Sequence, residues 1–268
     1  LTLAALLFFH EENCDYVVLE TGIGGKEDST NIVEEKILTI ITHIELEHTD
    51  ILGDSLDKIS KEKLGICRAG VPLITPINQH KNVMDEILKS GFKTELSSAF
   101  NLGNHHPESA GLAIMALDHL GIAFNEKLKE RMESMIINGR FEIKKHGEHV
   151  FILDGSHTYD SIQWLHEKVF KYQIEKALPD PLWVVHFLKD KPKDLIKLFF
   201  KKNTVWMDIE NERASLAPDY FSHGSAKMIL EDIEKSETPR FVIFTGSFRV
   251  VAELKALLGE KPEECWFV

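Results

Sequence analysis

Cysteine is scarce in this chain, and positive charge is in deficit. The 268 residues contain only Cys14, Cys67 and Cys265, far apart and odd in number, which excludes a disulfide framework and a zinc-type ligand spacing. Lys and Arg number 31 against 43 Asp and Glu, a net charge of −12, so the surplus of basic residues that nucleic acid or an anionic membrane needs is absent. No apolar run approaches the length of a bilayer-spanning helix, and the first residues lack a basic n-region and a cleavage site. No repeat of solenoid period and no low-complexity linker occurs. Also absent is G-x-x-x-x-G-K-[ST], the loop whose amides cradle nucleotide phosphates. The expectation is a cytoplasmic protein, without nucleic-acid or membrane partners, that holds any phosphate-bearing ligand by local contacts.

What is present is the balance of a folded protein, with 43% hydrophobic and 28% charged residues. This length suits two domains. Helical spacing over residues 1–12 precedes a β-branched apolar run, Asp15 to Glu20, read as a buried strand. A second run, Ile37 to Ile44, reads as another strand, followed by helical spacing from Ser55 to Cys67 and a short strand at Leu73 to Thr75. Helices are expected near Pro107 to Leu120 and Glu126 to Ile136, and the Asn138-Gly139 pair then punctuates the chain. Beyond it, strands at 150–154, 182–187, 204–208 and 241–245 alternate with helices at 159–172, 192–200, 227–235 and 250–258. Such alternation predicts mainly parallel sheets with helices on both faces and a domain boundary near Asn138.

In sheets of this kind ligands gather beyond the C-terminal ends of the strands. The run ending at Leu19 delivers Glu20, then Gly22, Gly24 and Gly25, with Asp28 to Asn31 close behind. Glycines permit close approach of backbone amides to a ligand, although a capped turn beside a surface carboxylate explains the segment equally well. The next strand delivers His48 in an acidic loop, a setting in which a histidine is more often merely solvated. Lys63 follows Ile59 by four residues and precedes Ile66 by three, which places it on the inward face of its helix.

Taken together, these stretches resemble the folylpolyglutamate synthase and dihydrofolate synthase family, relatives of the Mur peptide ligases. Leu19 to Asn31, LETGIGGKEDSTN, is similar to the family's strand followed by E-x-G-x-G-G-R-x-D-A-T-N, with Lys26 for arginine and Ser29 for alanine. His48 to Ile66 resembles H-T-x-x-L-G-x-T-x-x-x-I-A-x-E-K-A-G-I, preceded by Glu47 where the family has aspartate, and with Leu64 for an alanine. Leu102 to Ala110 resembles L-x-G-x-H-x-x-x-N-A, with Ser109 at the asparagine. Asn138 to Glu142 resembles P-G-R-x-E, and Asp154 to Thr158 resembles D-G-A-H-N with Ser156 and Thr158 as departures. Gly246-Ser247 resembles a late G-S. The likeness runs from near Leu1 to near Leu258, with the segment between Thr75 and Leu102 shorter than usual.

The resemblance implies two doubly wound α/β domains: residues 1–138 as a partial P-loop-type, Mur ligase-like ATPase domain, and 139–268 as a Rossmann-like glutamate ligase domain. It implies an ATP-dependent amide ligase of folate biosynthesis and polyglutamylation that joins L-glutamate to folate or dihydropteroate through an acyl phosphate, acting as a monomer. Glu20 and His48 are then ligands of Mg²⁺, and Lys63 is catalytic through carbamylation. Ser109, Arg140 and Asp154 bind the nucleotide, His157 acts on the phosphates or the glutamate, and Ser247 lies against substrate. In the family the phosphate loop lies upstream of the part matched here, so a longer polypeptide is expected. A non-ligating relative that keeps the fold as a binding module is the alternative, suggested by Ser109, Ser156, Thr158 and the missing loop. A metallohydrolase built on Glu20, His48 and modified Lys63 is a third reading.

Overall fold

Short apolar runs separated by helices set the architecture of the computed structural model, which describes residues 1–200 and 202–260; Cys265 lies outside them. The chain divides into two units, Leu1–Glu133 and the remainder from Ser134, so the division falls a few residues ahead of the Asn138-Gly139 pair.

The first unit opens with helix α1 (Thr2–Glu11) and continues through strand β1 (Thr39–Ile40), α2 (Thr49–Leu52), α3 (Leu56–Leu64), β2 (Leu73–Pro76), α4 (Lys81–Ser90), β3 (Thr94–Ser97) and α5 (Pro107–His119). Helix α6 (Glu126–Ser134) leads out of it. The three strands form one parallel sheet in the order β1-β2-β3, with Thr39 opposite Leu73 and Leu73 opposite Thr94. Ser55 starts α3 by accepting the Lys58 amide at 3.4 Å, and Asp57 at its first turn with Lys61 and Lys63 at its last match the helix dipole. On α4, Val83 and Ile87 stand one turn apart and are both fully buried against Ile59, Leu64 and Leu73.

Two expected strands fall short. Residues Asp15 to Glu20 run without pairing to any described residue, and Tyr16, Val17 and Val18 are exposed. β-branched residues favour a strand only where a neighbour supplies ladder hydrogen bonds and cover, and here neither is in place. For the same reason the Ile37 to Ile44 run narrows to Thr39–Ile40, which is paired on one side only. Helix α4 and strand β3 were not anticipated; both lie in the segment that looked short between Thr75 and Leu102.

The second unit is a six-stranded sheet in the order β4-β5-β9-β6-β7-β8. An antiparallel hairpin, β4 (Glu142–His146) and β5 (His149–Leu153), turns at Gly147 with φ +57°; the remaining pairs are parallel. Helix α7 (Tyr159–Glu175) leads to β6 (Leu182–Val185), β7 (Thr204–Asp208), β8 (Ser222–Ser225), α8 (Ala226–Glu234), β9 (Phe241–Thr245) and α9 (Phe248–Leu257). Residues 192–200, expected as a helix, form only a 3-10 turn at Leu195–Phe199, whose first residue is not capped by the Asp194 side chain. Every residue of β9 is buried, because both faces are covered. Alternation sends Val242 and Phe244 toward Ile229, Leu230, Val250 and Leu254 of α8 and α9, and Phe241 and Ile243 toward Ile162, Leu165 and Val169 of α7. No described helix is long and apolar enough to cross a membrane.

Strand order positions the chemistry of this unit. β9 returns between β5 and β6, with Leu153 opposite Phe244 and Val185 opposite Thr245, so the loops leaving β5 and β9 emerge side by side.

Candidate active site

At that end of the second unit the Asn138–Phe141 turn is gripped by buried charges. The Asp154 carboxylate, 2% exposed, accepts the Phe141 amide through one oxygen and the Ser156 amide through the other, each at 2.8 Å. Glu142 accepts the Gly139 amide at 2.9 Å, and the Gly155 amide donates to the Gly139 carbonyl at 2.8 Å. Lys255, 1% exposed, donates to the Asn138 side-chain oxygen at 2.9 Å and pairs with Glu142 at 3.0 Å and Glu260 at 3.1 Å. These bonds hold Phe141 at φ +45°, which a bulky side chain adopts only when its surroundings dictate it. Burial raises the Asp154 carboxyl, opposed by its hydrogen bonds and by the Arg140 charge. For Glu142, burial also pushes upward, but the Gly139 amide and the Lys255 and Lys144 ammonium groups outweigh it and hold the carboxyl below its ordinary value.

The turn presents Arg140 at the surface, its guanidinium 4.5 Å above the Phe248 ring. That ring also explains Gly155: a Cβ there would lie 2.6 Å from Phe248 carbon atoms. His157 donates from Nδ1 to the Gly155 carbonyl at 2.7 Å, which fixes the tautomer and leaves Nε2 as the acceptor nitrogen of the neutral ring. It stands just before α7, whose first turn is closed by reciprocal bonds between Thr158 and Ser161. Ser247, 4% exposed, caps α9 by accepting the Val250 amide at 3.5 Å. Arg140, Asp154, His157 and Ser247 therefore all lie on the loops at one end of this sheet.

In the first unit the glycine-rich segment is laid against α2 and α3. A Cβ on Gly25 would lie 2.9 Å from the Glu62 and Lys63 carbonyl oxygens and from Ile66, and one on Gly24, at φ +69°, would lie 2.9 Å from Leu52. Asp28 gathers the turn, accepting the Thr30 hydroxyl at 2.6 Å and the amides of Thr30 at 2.9 Å, Ile23 at 3.2 Å and Gly22 at 2.8 Å; burial pushes its carboxyl upward, but these bonds, the Thr30 hydroxyl foremost, outweigh it and hold the group below its ordinary value. Asn31 ties the segment to the end of α3, donating to Gly65 at 3.2 Å and accepting from Lys36 at 2.6 Å and Arg68 at 3.0 Å. The segment that follows Glu20 thus packs on α3, which carries Lys63, and meets Leu52 at the end of α2, the helix that His48 begins. Glu20 is exposed, and its carboxylate makes no hydrogen bond or ion pair among the described residues. His48 caps α2 in a left-handed conformation, φ 50° and ψ 38°. Lys63 is half-buried rather than on the buried face, which Ile59, Ser60 and Leu64 occupy, and its amine likewise has no partner among the described residues. Ser109 is exposed in the first turn of α5.

Sequence reasoning passed over a second group at the C-terminal ends of β1 and β2. His43 lies 3.8 Å from Glu108 and edge-on to His80, with ring centroids 4.9 Å apart, and Asn78 donates to Glu108. Gln79, 8% exposed, fixes the loop after β1 by accepting the Ile44 amide at 3.1 Å and donating to the Thr42 carbonyl at 2.6 Å. The signal that could have found them is the position of Asn78, Gln79 and His80 directly after the apolar run of β2, the same placement that drew attention to Glu20 and His48. Cys67 is buried, which pushes its thiol up to about 11 and keeps it protonated and unreactive.

No protein-family model matches the chain. Among curated proteins, the dihydrofolate synthase/folylpolyglutamate synthase of Bacillus subtilis is 29% identical over 96% of this chain and 71% of its own length. The enzyme of the same name from Buchnera aphidicola is 28% identical over 97% of the chain and 69% of its own length. In fold, the chain is similar to the bifunctional folylpolyglutamate synthase/dihydrofolate synthase of Yersinia pestis complexed with AMPPNP and Mn ion, with a TM-score of 0.83 at 23% identity, covering 96% of this chain and 70% of that one. It is also similar to E. coli FolC in complex with DHPP and ADP, with a TM-score of 0.79 at 24% identity and the same coverage. Along nearly the whole chain, the parallel sheets and the helices over them are those of the folylpolyglutamate synthase/dihydrofolate synthase fold, and the sequence is similar to curated enzymes of that name.

Proposed function

We propose that this chain carries out ATP-dependent ligation of L-glutamate to folate or dihydropteroate. The observation that carries the reading is the 29% identity to the Bacillus subtilis enzyme across 96% of the chain, with Arg140, Asp154, His157 and Ser247 on the loops at one end of the second unit's sheet. A carboxylate is a poor electrophile, so the reaction first activates it. An oxygen of the substrate carboxylate attacks the γ-phosphorus of ATP and ADP leaves. The glutamate amine then attacks the acyl carbon, the C–O bond breaks, phosphate departs with the original carboxylate oxygen, and the amine gives up a proton. Water must be kept from the hydrolysable intermediate.

Glu20, with its uncommitted carboxylate, and His48 form a donor set suited to Mg²⁺, which would neutralise phosphate charge when bound. The Lys63 amine, half-buried and without an ionic partner among the described residues, suits carbamylation: the neutral amine adds to CO₂ and loses a proton, turning a cation into a carboxylate. Arg140, Ser109 and Asp154 are assigned to the nucleotide, the guanidinium supplying a planar fork for ribose or phosphate oxygens. The Asp154 carboxylate is engaged with two backbone amides, so its part includes holding the Arg140 turn. His157, its tautomer set by the Gly155 carbonyl, is assigned to phosphate or glutamate, and Ser247 to substrate from the neighbouring loop.

The departures at Ser156 and Thr158 leave the local architecture intact, since Ser156 still binds Asp154 through its amide and Thr158 caps α7. They therefore lend little to the non-ligating alternative. The deciding assay is incorporation of labelled L-glutamate into dihydropteroate or tetrahydrofolate with ATP and Mg²⁺. A product one glutamate longer supports ligation; ATP binding without product supports the binding module.

A further inference from the structure

The sheet of the second unit has another end. Where β6 begins, opposite the loops of Arg140 and His157, a groove of about 500 Å³ opens between the C-terminal half of α7 and the Lys202-Asn203 turn that precedes β7. Trp183, 2% exposed, lines it, and Phe170 and Ile174 on α7 form an exposed apolar wall. Two nitrogen groups converge on the tryptophan: the His166 ring lies edge-on at 4.6 Å between centroids, and Lys202 Nζ stands 5.3 Å over the same ring. The His166 Nε2 atom is buried with no hydrogen-bond partner, and the Lys202 ammonium has no anionic partner among the described residues. Asp180 at the rim is already held by Gln173 at 3.0 Å.

We infer that this groove is a binding site for a small planar aromatic carboxylate, whose oxygens accept from Lys202 Nζ while its ring lies along Phe170 and Ile174. The size falls within the roughly 300–1,000 Å³ usual for small-molecule sites. A desolvated ammonium without a counterion is unfavourable, and one bound carboxylate balances one lysine. Burial lowers the Lys202 amine and, with the help of the Lys202 charge, brings the His166 ring to about 4. At neutral pH the imidazole is therefore uncharged, which leaves Lys202 as the cation of the lining, so the groove matches a monoanion. The site goes beyond the ligation reaction and sits at the other end of the sheet from it.

The test is titration of the ¹⁵N-labelled chain with indole-3-acetate and, separately, with its neutral isostere indole-3-acetamide, following backbone amide shifts. The expected result is saturable binding of the acetate with shifts centred on Gln173, Lys202 and Asn203, and affinity for the acetamide lower by about tenfold or more, equivalent to about 1.4 kcal/mol. Lys202→Met should weaken acetate binding by a similar factor. Phe170→Ala, at an exposed position that does not endanger folding, should weaken both ligands. Equal affinity for acid and amide in the wild-type chain would overturn the assignment. So would an unchanged acetate affinity in a folded Lys202→Met protein, or shifts centred on Arg140 and His157.

Discussion

Lys255 is a cation almost without solvent, surrounded by the Glu142 and Glu260 carboxylates and the Asn138 amide oxygen. A buried pair of this kind contributes little over an apolar equivalent, but removing one member strands the other. Lys255→Met is expected to lower the unfolding free energy of the second unit by about 3–5 kcal/mol, and adding Glu142→Gln should recover part of that loss. Urea unfolding of the single and double variants measures both. Glu142, held below its ordinary value when folded, supports stability at neutral pH, and that support is lost as pH falls through its folded value. His166 acts in the same sense over a higher range. Its folded ring titrates near 4 against an ordinary 6.5, so below about pH 6.5 the unfolded chain takes up a proton that the folded chain resists. Stability should fall between pH 6.5 and about 4, and His166→Phe should flatten that part of the profile in thermal melts at a series of pH values.

At the scale of elements, the glycine-rich segment and α3 form one packed piece, because Gly25 has no room for a side chain. Gly25→Ala should push the segment off the last turn of α3 at a cost of about 1–3 kcal/mol, seen as a lower melting temperature and as faster amide exchange at Lys26, whose N–H donates to the Glu62 carbonyl at 2.9 Å. How much of this could be read beforehand depended on where the information lay. Strands 204–208 and 241–245 were legible to the residue, since a continuous apolar run between turn residues has few other solutions. Helix α7 was legible from Thr158 onward. Strand β3 was not, because Thr94–Ser97 is mostly half-buried and polar, and it becomes a strand only through pairing with β2. Asp15 to Glu20 failed in the opposite direction: its composition suits a strand, but strandhood needs a partner that composition does not supply. The motif loops were readable as motifs, yet the side chains that shape them were not. Asp28, Glu142 and Lys255 act over separations of up to 117 residues, and no local pattern announces such a bond.

Across the whole molecule, the chain aligns with about seven tenths of the Bacillus subtilis and Buchnera aphidicola enzymes, and within that portion each proposed function of ATP, metal and glutamate has residues assigned to it. Glu20→Ala should reduce ligation by about a hundredfold or more while far-UV circular dichroism and melting temperature stay unchanged, since Glu20 is exposed and uncommitted. Unchanged activity would remove it from the metal site. The central claim, that a carboxylate is activated by phosphoryl transfer and then captured by glutamate, is tested most directly by an oxygen label. Dihydropteroate carrying ¹⁸O in its carboxylate is incubated with ATP, Mg²⁺, L-glutamate and the purified product of the whole reading frame, and the released phosphate is analysed by mass spectrometry. Ligation as proposed places one ¹⁸O in each phosphate formed with product, whereas unlabelled phosphate, or labelled substrate left without product while ATP is bound, would contradict it.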